Sequence, residues 1–312
     1  MRLSLIILIC YFFLLVACGR SEFDAAFEAY EEEDYRFALE KLNPLAEKNN
    51  IDAIHLLAVM YEKGQGVDID ISKSIEFHMR AAEGGNAESQ VKIAGLYLRG
   101  DYFRKDYWEA MKWSRKAALQ DNAMAQANIG YMFHDGIGVS QDYAEAMKWY
   151  KKAAEQNLPS AQFDLGVMYQ QGSGVASNYE TAISWYRLAA NQQHIKSQEV
   201  LYDIYTNRTG IPKDDDGMFR WILESAKQGD VTAQHVLASI YLRGQIKKRN
   251  RELAYAWAGV ASAGGFLKSR SLRNNIETVM TDKEISAARI RARDLWERHG
   301  NKNEHGKPSP ST

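Results

Sequence analysis

The chain has 312 residues, 25% of them charged, with 39 Lys/Arg set against 40 Asp/Glu. This near balance lacks the basic field that nucleic-acid backbones select for. Two cysteines, Cys10 and Cys18, are too few for a disulfide framework.

In chain order, Arg2 gives a short positive start and Leu3 to Leu15 an apolar run, which ends in Leu15-Val16-Ala17-Cys18. The run is shorter than the roughly 20 apolar residues of a spanning helix. The stretch resembles a lipobox, where a signal peptidase cuts before a cysteine whose thiol has been acylated. The resemblance implies a lipoprotein signal peptide over 1–17 and a lipidated N-terminus and linker over 18–22, with Cys18 as the lipidation site. An exported domain would follow, without a thiol for disulfides, metal or catalysis. Gly19 and Arg20 stand where an aspartate would resemble an inner-membrane retention signal. Their presence implies the outer membrane, facing the periplasm.

Residues 23–50 read as a helical hairpin with a tight turn at Glu33-Asp34-Tyr35. From there the chain repeats itself. Ala53, Ser89, Ala125, Ala161, Ser197 and Ala233 stand 36 residues apart, and so do Tyr61, Tyr97, Phe133, Tyr169, Tyr205 and Tyr241. Phe77, Trp113, Trp149, Trp185, Trp221 and Trp257 hold a third register, and Ala81, Ala117, Ala153, Ala189, Ser225 and Ala261 a fourth. Within the block 159–194, Ala161, Leu165, Gly166, Met168 and Tyr169 follow helical spacing up to Gly172-Ser173-Gly174. Glycine accepts the left-handed backbone that ends a helix. Tyr179, Ala182, Trp185, Tyr186, Ala189 and Ala190 then mark a second helix. Gly166 and Ala182 are expected to let the pair approach closely, with Tyr169 and Trp185 filling the space.

These residues, AQxxLGxMYxxGxGV followed by AxxWYxxAA, resemble the Sel1-like repeat, a relative of the tetratricopeptide repeat. The resemblance implies an all-α fold: an α-solenoid, in a right-handed superhelix of about fifteen helices. Six hairpins would span 51–266, behind a tetratricopeptide-like capping hairpin over 23–50. The fifth block departs most, with Tyr202 at the position of Gly166 and no paired glycines between Thr206 and Gly217. The second and sixth lose their second glycine at Tyr102 and Ile246. Capping helices are expected over 267–299, the last starting at the Thr281–Glu284 capping box. The tail 300–312 holds almost no apolar residue and is expected to be disordered.

Enzyme chemistry needs convergent polar groups, and the sequence offers few. Gly64-Gln-Gly66, Gly136-Ile-Gly138 and Gly172-Ser-Gly174 follow helices and lack the third glycine of a dinucleotide loop. No His-Glu-x-x-His pair exists among His55, His78, His134, His194, His235, His299 and His305, and Asp214-Asp215-Asp216-Gly217 falls short of a calcium loop. The expectation is therefore no catalytic residue, no metal and no cofactor. The tryptophan register reads as core. Charge is unevenly placed: residues 19–80 hold 7 Lys/Arg and 14 Asp/Glu, and residues 241–312 hold 15 and 7. Solvated faces account for this, as does steering of partners or contact between copies.

The resemblance to tetratricopeptide-like solenoids implies a concave groove lined by the first helix of each hairpin. Lys92, Asn128, Tyr131, His134, Phe163, Asp164, Gln170, Asp203 and His235 are the candidate groove residues, with Val91, Gly95 and Leu98 beside them. Such a mixture suits an extended peptide or a helix. The expected function is a membrane-anchored scaffold or adaptor of the bacterial cell envelope that binds protein partners. The alternative is an envelope module binding peptidoglycan or polysaccharide, with exopolysaccharide machinery among its partners. A β-lactamase-like activity is disfavoured, because the disulfides of the relatives linked to it are missing.

Overall fold

A computed structural model describes residues 21–207, 214–244 and 246–300. The expected signal peptide over 1–17, Cys18 and nearly all of the 300–312 tail lie outside them. The described residues form sixteen α-helices and no strand, an all-α repeat solenoid. None of these helices is long and apolar enough to cross a membrane. The chain divides into two compact units, Met1–Ser140 and Gln141–Thr312.

In the first unit, α1 (Glu22–Glu31) and α2 (Tyr35–Glu47) form the capping hairpin. Then come α3 (Ile51–Lys63) with α4 (Ile71–Glu83), α5 (Ala87–Arg99) with α6 (Tyr107–Ala118), and α7 (Ala123–Asp135). Each helix packs on the one before it. The second unit holds α8 (Tyr143–Glu155), α9 (Pro159–Gln171), α10 (Tyr179–Asn191), α11 (Ile195–Asn207), α12 (Asp215–Lys227), α13 (Val231–Arg243), α14 (Arg251–Ala263), α15 (Leu267–Glu277) and α16 (Asp282–His299). Here α11 packs on α13, and α16 lies against α14 and touches α12.

The helix boundaries are written in the sequence. Asn50, Asn86, Asn122 and Asp230 cap first helices, while Asp70, Asp106, Asp142, Asn178, Asp214 and Asn250 cap second helices. Each side-chain oxygen accepts a hydrogen bond from an otherwise orphaned N–H in the first turn. The first helices α3, α5, α7, α9 and α13 end on left-handed glycines, such as Gly172 with φ +77°. The second loop glycine has a different task. A Cβ on Gly138 would lie 2.5 Å from Cβ of Tyr107, and one on Gly174 would lie 2.8 Å from that of Tyr143. Each is a seat for the tyrosine that opens the second helix of the preceding hairpin.

The core is a ladder. Leu57, Ile93, Ile129, Leu165, Leu201 and Leu237 recur every 36 residues and are all at most 1% exposed. Truncating any one to alanine is worth about 2–5 kcal/mol. Successive hairpins are also stapled by glutamine: Nε2 of Gln90, Gln162, Gln198 and Gln234 donates to the carbonyls of Ala82, Ala154, Ala190 and Ala226 at 3.1–3.3 Å. The aromatic register is less uniform than expected. Phe77, Trp113 and Trp257 are buried, whereas Trp149, Trp185 and Trp221 are half-buried. The side chain against Gly166 is Tyr186, not Tyr169 or Trp185: a Cβ there would meet the Tyr186 ring at 2.5 Å.

Candidate functional site

The first unit carries a concavity of about 500 Å³. Val91, Lys92, Gly95 and Leu98 of α5 and Asn128 and Tyr131 of α7 converge on it. Arg99, Lys105, Tyr107, Met124 and Ile137 complete the wall. The helical period of α5 and α7 places the first six on one face each. The other five sit at helix ends and in loops, where the repeat pattern carries no facing information. Tyr107 is the signal that was available, since its seat on Gly138 pins it beside Ile137.

The chemistry of the wall is mixed. Tyr131 is 44% exposed and Met124 45%, so large apolar surface faces solvent inside a recess. Burial, with the Asp135 carboxylate nearby, raises the Tyr131 hydroxyl above its ordinary value and keeps it a donor at neutral pH. Arg99 pairs with Asp101 at 2.5 Å. Lys92 is anchored from behind, with Nζ 2.5 Å from Glu62 Oε1. Burial acts to raise the Glu62 carboxyl, but Lys92 and His78 outweigh it and hold the group below its usual value.

Glu62 opens a polar chain, buried only at His78 and Ser89, that the sequence did not announce. Its other oxygen lies 3.6 Å from Nε2 of His78. Ser89 Oγ stands 3.0 Å from Nδ1 of both His78 and His55, and His55 Nε2 reaches Glu88 at 3.0 Å. One hydroxyl carries one hydrogen, so Ser89 donates to one ring and accepts from the other. Burial, then the charges of His55 and Lys92, lowers His78 to about 4. Ser89 is fully buried, so its hydroxyl bridges helices and meets no solvent. The device recurs: His194 bonds Ser197 and His235 bonds Ser269, both at 2.8 Å. No group of three or more His, Cys, Asp or Glu that could hold a metal occurs among the described residues.

The remaining candidates do not join the concavity. His134 Nδ1 is 2.5 Å from Asp135. In the second unit, Phe163 is half-buried against the rings of Tyr186 and His194, at 5.6 and 5.2 Å. Gln170 accepts from the Tyr186 hydroxyl at 2.7 Å, while Asp164 is half-buried and Asp203 exposed. The groove expectation for His235 is corrected: it is only 7% exposed, between Phe266 and Tyr202, and burial lowers it to about 4. Its position on a first helix looked groove-facing because the ring of Phe266, at the far end of the same block, was not counted.

The Sel1 repeat family model matches residues 51–86, 87–122, 123–158, 159–194 and 231–266, more than half of the chain. The chain belongs to the Sel1 repeat family. The unmatched block, 195–230, is the one whose sequence departs most, and α11 and α12 occupy it. A Sel1 repeat protein from Oxalobacter formigenes is similar at 34% identity over 78% of this chain and 97% of that one, with a TM-score of 0.59. A protective antigen of uropathogenic Escherichia coli displaying an SLR fold is similar at 25% identity over 97% of this chain and 76% of that one, with a TM-score of 0.52. No curated protein matches.

Proposed function

We propose that this Sel1 repeat chain is an adaptor tethered to the bacterial envelope through Cys18, with the concavity between α5 and α7 receiving a segment of a protein partner. Sel1 repeats generally serve as protein-binding, non-catalytic scaffolds. The observation that carries the reading is Tyr131, a large aromatic 44% exposed inside a recess next to the hydrogen-bonding Asn128. Partly buried aromatics with a polar neighbour are the usual anchors of interfaces. The lipobox supports the tether and the envelope setting.

The test is crosslinking in intact cells with native protein beside Asn128→Ala/Tyr131→Ala. The adaptor reading expects one defined envelope protein with the native chain and a loss of about tenfold or more with the variant. Equal recovery by both would sink the groove assignment. The exposed Tyr131 face also suits stacking on a sugar ring, so peptidoglycan fragments are the second ligand to try. Binding of those fragments, abolished by Tyr131→Ala with no protein recovered, would put the glycan reading first.

A further inference from the structure

A hairpin in a solenoid covers its apolar face with its neighbours, and the first and last helices need polar outer faces because stacking stops there. Both end helices are largely polar outside, yet each leaves one large apolar side chain on that face. On α1, Phe27 is 45% exposed, and Glu31, Glu32 and Glu33 follow it on the surface. Those three carboxylates have no ion-pair partner among the described residues. On α16, Ile290 is 72% exposed, flanked by the exposed Arg291 and Arg293, which are likewise unpaired among the described residues. Around these helices the wider charge follows the same signs, with acids in twofold excess over residues 19–80 and bases in twofold excess over 241–312.

We propose that the outer face of α1 in one copy docks on the outer face of α16 in a second copy, Phe27 meeting Ile290 with the glutamates over the arginines. Two α1 faces repel one another, as do two α16 faces, so the charges select the unlike pairing. The contact is heterologous: each copy keeps one free end, and copies add in a row where the rotation does not close. Apolar centres with charged surroundings match the core-and-rim pattern of interfaces. The charges set direction and encounter rate more than affinity. The contact is independent of the groove around Tyr131.

The experiment uses the full chain in detergent micelles kept in molar excess over protein, as two differently tagged pools. A photo-crosslinking residue replaces Phe27 in one pool. The expected product joins the two tags, maps to the 283–293 stretch of the second pool, and falls about tenfold in about 0.5 M NaCl, where exposed charges are screened. Arg291→Glu/Arg293→Glu in the second pool should abolish it. Glu31→Arg/Glu32→Arg in the first pool should restore it against that variant, which a mere folding defect could not do. Asn128→Ala/Tyr131→Ala should leave it untouched. A product that maps elsewhere, that joins residues of one tag only, or that is indifferent to the charge reversals would overturn the proposal.

Discussion

Blocks 159–194 and 195–230 are neighbours with the same helix lengths, yet they reach their packing by opposite means. In the first, Gly166 on α9 gives way to the fully buried Tyr186 on α10. In the second, Tyr202 stands at the glycine position of α11 and the buried Ile222 where Tyr186 would be, and α11 packs on α13 rather than closely on its own partner α12. The second block also gains a charged clamp. Arg187, projecting from α10, donates from Nε to Asp230 at 3.1 Å and to Tyr205 at 3.3 Å, with Ser225 also in reach. Asp230 accepts from Tyr205 and from the N–H groups of Thr232 and Ala233, so one buried carboxylate closes the block and caps α13. Burial, with that carboxylate beside it, raises the Tyr205 hydroxyl well above its usual value. The lesson is that a block can give up the close pairing of its own two helices when the next block supplies the surface on which both pack.

The largest effect should come from breaking the clamp. Asp230→Ala strands the Arg187 charge, whose side chain is 21% exposed, and uncaps α13, for a loss of about 3–5 kcal/mol in chemical denaturation. Asn178→Ala, which removes an ordinary cap from the consensus block, should cost only about 1 kcal/mol. Equal losses would mean that the clamp is no more than a cap.

Acid comes next. His235 is held neutral when folded, at about 4, while the unfolded ring titrates near 6.5. Between those values the unfolded chain binds the extra proton, so stability is intact above pH 6.5 and is lost as pH falls toward 4, by on the order of 2 kcal/mol. His235→Gln should flatten this part of the melting-temperature profile. His78, lowered to about 4 as well, should leave a residual slope of the same sign.

Smaller still is the volume swap. Gly166→Ala gains about 1 kcal/mol of helix propensity but drives a methyl into Tyr186, for a net loss of about 1–2 kcal/mol. Adding Tyr186→Ile, which makes room for the methyl, should recover part of it. A double variant less stable than Gly166→Ala would show that the Tyr186 ring is not what the added methyl meets. Smallest is Tyr131→Ala, expected within about 0.5 kcal/mol of native stability. A thermal melt that shows a larger drop would make Tyr131 a packing residue rather than an anchor.

The helices themselves were legible because their caps, glycines and apolar positions lie within one block, where the 3.6-residue period gives each residue its face. The six residues of α5 and α7 that line the concavity share helix faces given by the same period. The His55–Ser89–His78 chain and the Arg187 clamp were not, since their partners lie 34, 11 and 43 residues apart on different helices. Such meetings depend on how far each hairpin turns relative to the last, which no period encodes. His235 was misplaced because its cover by Tyr202 comes from the preceding block.

The tyrosine seats have a consequence for how such a chain lengthens and shortens. Because Tyr107 fits Gly138 and Tyr143 fits Gly174, the lock spans two blocks and its halves are inherited separately. Ile71 precedes a block in which Tyr102 replaces the glycine, so that junction has a different lock. Excising residues 87–122 would set Ile71 on Gly138 and leave a void, whereas excising 123–158 would carry Tyr107 to Gly174 and preserve the fit. Recombination within this gene is therefore not free at every period: blocks are interchangeable only where the tyrosine of one and the glycine of the next travel as a matched pair.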